Sequence, residues 1–169
     1  MDSYILTVEK ALTDYLSAGI PDIANSTHRG YDRLGKDIPD QVLSIIQASD
    51  IDDNSMSVGD SMSQRLDTKL YLIQGWVKYA DFFNPTDDAH GLLAEVKKLL
   101  NELNVMDSVH AGLKGYNTSG SGKQLISYIN ISSGLVRPPD QDVSSKHSYF
   151  WLPVQIGLLE EVADPYKLP

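Results

Sequence analysis

The chain has 169 residues, 41% of them hydrophobic and 22% charged, which is enough for one domain with its own core. Its 23 acidic and 14 basic residues leave a net charge of −9, and it has no cysteine. This rules out disulfides, thiolate metal sites and cysteine nucleophiles, and argues against a tight grip on nucleic acid, which needs Lys and Arg to displace counterions. The nearest basic grouping, Arg29, Arg33 and Lys36, is interrupted by Asp32 and Asp37. No apolar run approaches the roughly 20 residues that cross a bilayer. Met1-Asp2-Ser3-Tyr4 lacks the basic start of a secretory signal, so synthesis in cytosol without membrane contact is expected.

In chain order, Ser3 can cap a helix running to about Ser17, with Ile5, Val8, Leu12, Tyr15 and Leu16 as its apolar stripe and Ala18-Gly19-Ile20-Pro21 as its end. Ile23 to Thr27 suits a short edge strand, and Arg29 to Gly35 a loop. After Ile38-Pro39, the β-branched run Val42, Leu43, Ile45 and Ile46 predicts a buried strand ending near Ile51. Residues 52–64 form a polar connector with no helix in it. Its flanking strands should therefore pair antiparallel, as a long hairpin with a mobile tip.

Leu66 to Tyr79 predicts the central strand. Leu66, Thr68, Leu70, Leu72 and Trp76 share one side and are expected to form its buried face; Tyr71, Ile73, Val77 and Tyr79 line the other, which leaves partial cover on both sides open. Thr86 is the expected N-cap of the next helix, and Asp87 and Asp88 face its positive end. Leu92, Leu93, Val96, Leu99, Leu100 and Leu103 make that helix's stripe. Residues 105–122 are rich in Gly and Ser and read as a flexible connector. Leu125 to Ile131 reads as a strand, and Arg137 to Lys146 as a third polar connector. Tyr149 to Glu160 is the last strand, with Phe150, Leu152, Val154, Ile156 and Leu158 buried. Pro153 cannot donate to a ladder, which predicts an edge strand or a bulge there. Residues 1–162 thus read as a single α+β domain with a C-terminal tail over 163–169. Its mostly antiparallel four-stranded sheet carries two helices on one face and long projecting loops.

No local motif announces chemistry. Gly120-Ser121-Gly122-Lys123 lacks the spacing, the hydroxyl residue and the following helix of a phosphate loop. Asp50, Asp52 and Asn54 open like a calcium loop, but Ser55 and Ser61 stand where Gly and Glu are required. His28, His90, His110 and His147 are far apart, with no second His at ligand spacing. No catalytic residue, metal or cofactor is expected.

The order of elements carries a resemblance. It consists of an N-terminal helix, Asp37-Ile38-Pro39 leading into a strand, and a loop-tipped hairpin returning as Leu66 to Tyr79. Then come the helix Thr86 to Leu103 and a closing aromatic-rich strand. This resembles the tail terminator proteins of long-tailed bacteriophages and their tail-completion and neck relatives. The chain departs from compact members in its longer 105–146 region and in its tail. The resemblance implies a structural virion protein at the junction of tail and neck. It would form a homohexameric ring that ends the tail tube, with DNA passing through the lumen. The implied partners are other copies of the chain, the tube protein, a neck or connector protein, and a sheath protein where the tail is contractile. Contacts are expected in the loops, at Met56, Val58, Met62, Tyr116 and Arg137. Two alternatives stay open: an adjacent neck or head-completion adaptor, and a small hydrolase using His110 or His147 with an Asp and a Ser near in space.

Overall fold

The computed structural model describes residues 2–30, 39–48, 56–58, 64–103, 126–139 and 146–161. They form an α+β fold with two helices on one face of a mixed sheet. Helix α1 spans Tyr4–Gly19. Ser3 caps it, with the Leu6 amide donating to the Ser3 hydroxyl at 3.3 Å. Its buried stripe is Tyr4, Val8, Leu12 and Leu16. Ile5 and Tyr15 are only partly buried, while Tyr4, absent from the predicted stripe, is core. Helix α2 spans Asp87–Glu102 and buries Ala89, Leu92, Leu93, Val96 and Leu100. Thr86 holds the N-cap position but makes no side-chain cap bond. The first-turn Asp88 instead accepts the Ala80 amide at 3.0 Å and ties the preceding loop to the helix. The helices meet where the Tyr15 hydroxyl donates to the Leu99 carbonyl at 3.0 Å.

The described sheet has seven strands where the sequence predicts four. They are β1 (Thr27–Arg29), β2 (Gln41–Gln47), β3 (Met56–Val58), β4 (Gln64–Lys78), β5 (Tyr128–Ile131), β6 (Leu135–Arg137) and β7 (His147–Glu161). The two 15-residue strands β4 and β7 pair antiparallel along their whole length, from Gln64↔Glu161 to Lys78↔His147. Each has two shorter strands end to end along its other side. β2 and β3 line β4; β5 and β6 line β7. The predicted β2–β4 antiparallel pairing is observed, with Ile45 opposite Ile73. β1 runs parallel to β2, which makes the sheet mixed. The edge strand expected at Ile23 to Thr27 lies further on, because Pro21–Ile23 close a 3-10 turn first. β3 and β6 are the other additions. Each is three residues long, too short to show a period, and each falls inside or beside a stretch read as connector.

The helices cover the face of β4 opposite to the one predicted as its buried face, while Trp76 on the predicted face is buried as well. Tyr71, Ile73 and Val77 lie under the helices with Leu43 and Ile45 of β2 and with Phe150, Leu152, Val154, Ile156 and Leu158 of β7. Leu70 and Leu72 point to the outer face and are half-buried. Both sides of β4 are apolar, so alternation fixes the two sets but not which set meets the helices. At its far end the inner face carries an ion pair, Lys69 to Asp67 at 2.8 Å, almost buried beside Ile156 and Leu158.

Pro153 is not on an edge strand, since β7 is flanked on both sides. In an antiparallel strand the N–H and C=O of one residue point the same way. The Pro153 carbonyl accepts from the Ser132 amide at 3.2 Å, so its nitrogen also faces the β5–β6 side. There, three residues (132–134) oppose two on β7 (152–153), a bulge closed by Gly134 at φ +77°. The missing donor therefore falls where the ladder is already broken. At Gly157 the reason is steric: the Tyr128 ring lies across it, and an added Cβ would come within 2.1 Å of that ring. The Tyr128 hydroxyl then reaches the Thr68 hydroxyl at 2.6 Å.

Candidate functional site

The turn between β4 and α2 is ordered by its own side chains. One Asp81 carboxylate oxygen accepts the Phe83 amide at 2.8 Å, and the other accepts the Asn84 side-chain amide at 2.9 Å. The Phe83 N–H, then Asn84, hold the Asp81 carboxyl below its usual range. Asp88 grips the turn from the helix side. This braced turn presents Phe82 and Phe83 to solvent at 76% and 89% exposure. Their rings meet edge to face, 6.0 Å between centroids.

A second apolar surface lies on the outer face of the sheet. Leu135 stands opposite Trp151, and Arg137 opposite Tyr149. The Tyr149 and Trp151 rings are 5.6 Å apart, and Pro153 continues the exposed row along β7. Leu135 and Trp151 are 46% and 40% exposed. Further across the same face, on β2 and β4, Val42, Ser44, Gln74 and Trp76 are buried. Among the described residues the exposed large hydrophobic side chains are therefore on the β6–β7 side and in the Phe turn. Large aromatic groups left in water beside a filled core are candidates for contact with another macromolecule.

An open groove of about 690 Å³ lies between α1 and β1, lined by Leu6, Glu9, Lys10, Asp14, His28 and Arg29 among others. Its hydroxyls serve the backbone: Thr13 donates to the Glu9 carbonyl and Thr27 to the Ile23 carbonyl. Lys10 is ion-paired with Asp2. Burial raises the Glu9 carboxyl above its ordinary pKa, while Arg29 and the Tyr71 hydroxyl act to lower it. Charges of both signs line the groove.

Of the sequence-predicted contacts, Met56 and Val58 stand on β3, opposite Leu66 and Gln64, so the connector they belong to is partly ladder rather than wholly a loop tip. Arg137 is on β6, exposed beside Tyr149. Met62 and Tyr116 lie outside the described residues, as do His110, Asp50, Asp52, Asn54, Gly120 to Lys123 and the 163–169 tail. His147 is buried, with Nε2 3.0 Å from the Pro39 carbonyl. The neighbouring Ser148 points to the opposite face and donates to the Val77 carbonyl at 3.3 Å. Those two side chains therefore do not converge. Among the described residues no group of three His, Asp or Glu is placed to hold a metal ion, and no helix is long and apolar enough to cross a membrane. Phe82 and Phe83 are the most exposed large hydrophobic side chains among the described residues, and sequence reasoning did not single them out. The signal was present: two adjacent aromatics between Asp81 and Asn84-Pro85, in a turn with no apolar face to join. No protein-family model matches the chain, and no curated protein matches it.

Proposed function

We propose that this chain is a structural protein of a long-tailed bacteriophage, forming a ring that ends the tail tube and joins it to the neck, with DNA passing through the lumen. The observation that carries the reading is the braced turn holding Phe82 and Phe83 in water. Burying such a side chain is worth about 1.5–3 kcal/mol, so a turn built to present two of them is built to bind. Three further features support it: the element order, the outer aromatic patch, and a central β4–β7 ribbon roughly 50 Å long that can span a subunit of a ring wall. A net charge of −9 suits a wall past which DNA slides without sticking.

The test is to mix the protein with the tube protein of the same phage and image the product. Tubes capped at one end and held to a uniform length are expected. Tubes that grow on unchanged, with no protein sedimenting with them, would overturn the assignment. Capture by a portal-side protein in place of the tube protein would move the chain to a neck adaptor.

A further inference from the structure

We propose that Phe82 and Phe83 of one copy seat on the Trp151–Leu135 patch of a second copy of this chain. The proposal deepens the ring reading, on which it rests, by naming the copy-to-copy contact. Both halves are ordered and both are exposed: Phe82 and Phe83 at 76% and 89%, Leu135 and Trp151 at 46% and 40%. At that exposure the Phe turn is not covered by its own molecule's patch, so contact between them has to be intermolecular. The two surfaces also differ in charge. The turn and the first turn of α2 carry Asp81, Asp87 and Asp88. The patch carries the exposed Arg137 and no acidic side chain on β6 or on residues 149–155 of β7. On a chain with a net charge of −9, an acidic knuckle meets repulsion over most of another copy. A neutral-to-basic aromatic surface is where it is accepted. Trp, Tyr and Arg are the residue types that dominate interface energetics, and here they cluster on the receiving side. Knuckle and patch are different surfaces of one subunit, so one copy can offer its knuckle to one neighbour and receive the knuckle of another, the head-to-tail arrangement from which rings are closed.

The experiment is a complementation between two variants, Phe82→Ala/Phe83→Ala and Leu135→Asp, by sedimentation equilibrium. The unaltered protein is expected to self-associate. Each variant should associate about tenfold or more weakly, with an unchanged thermal midpoint, because the altered side chains are exposed. Mixed in equal amounts the variants should form 1:1 pairs, since one supplies an intact patch and the other an intact knuckle. If Leu135→Asp lowers the thermal midpoint, Trp151→Ala takes its place in the same mixture. A strictly monomeric unaltered protein, a variant that associates normally, or a mixture that stays monomeric would each overturn the contact. Protein that is monomeric alone yet caps tubes would sink this contact and leave the ring reading standing. Association through the contact with no effect on tubes would do the reverse.

Discussion

Glu9 shows how one side chain ties the helix layer to solvent. It projects from α1 into the groove beside β1, with Tyr71 of the inner sheet face at its carboxyl. Burial is the largest influence and raises its pKa above 4.5. The folded state then holds a proton that the unfolded chain has released, so stability from this residue is present below the unfolded pKa and lost as pH rises through the folded value. Glu9→Gln is expected to abolish that loss. In thermal denaturation its midpoint should exceed that of the unaltered protein near pH 7 and converge with it near pH 4, and a gap of the same size at both pH values would contradict this. The reach of Tyr71 to Glu9 was not legible in the sequence, because they lie 62 positions apart and meet only when α1 docks on the sheet.

At the level of strands, the bulge opposite Pro153 makes a sharp comparison possible. Pro153 and Gln155 are both exposed on the outer face, and both turn their backbone toward the β5–β6 side. Pro153 meets the bulge, whereas Gln155 stands opposite Asn130 in a regular ladder. Gln155→Pro removes a hydrogen bond and strands a carbonyl, so about 1–3 kcal/mol should be lost in urea denaturation. Pro153→Ala should change stability by only about 0.5 kcal/mol, because the restored N–H has no ladder partner to find. Equal losses would show that the bulge does not shelter the proline. From the sequence, Pro153 pointed correctly to an interruption, but not to its being in the neighbouring strand, since local pattern does not identify which strand is the neighbour.

Taken over the full surface, the charge balance bears on what passes by. With 23 acidic against 14 basic residues, few phosphates can be neutralised at once, and affinity for duplex DNA should be minimal. At about 10 µM protein and roughly 0.15 M salt, where non-specific binders have dissociation constants of about 1–100 µM, duplex DNA is expected to migrate unretarded in a gel. A retarded band would be incompatible with a passive lumen wall. The charge is unevenly spread: Arg137 sits within the outer aromatic patch while Asp81, Asp87 and Asp88 surround the Phe turn.

Local pattern was sufficient wherever a segment had one apolar side. Val8, Leu12 and Leu16 gave α1, Leu92, Leu93, Val96 and Leu100 gave α2, and the alternation from Phe150 to Leu158 gave the buried side of β7. In each case burial of a single stripe leaves one orientation with low free energy. Three things were settled only when the chain closed on itself. The helices chose the Tyr71–Ile73–Val77 side of β4 although both sides are apolar. The short strands β3 and β6 gained their order from the long strands beside them. Phe82 and Phe83 were left outside because Asp81 and Asp88 hold their turn away from the core. Each of these depends on partners distant in sequence, and periodicity carries no information about a partner that is not local.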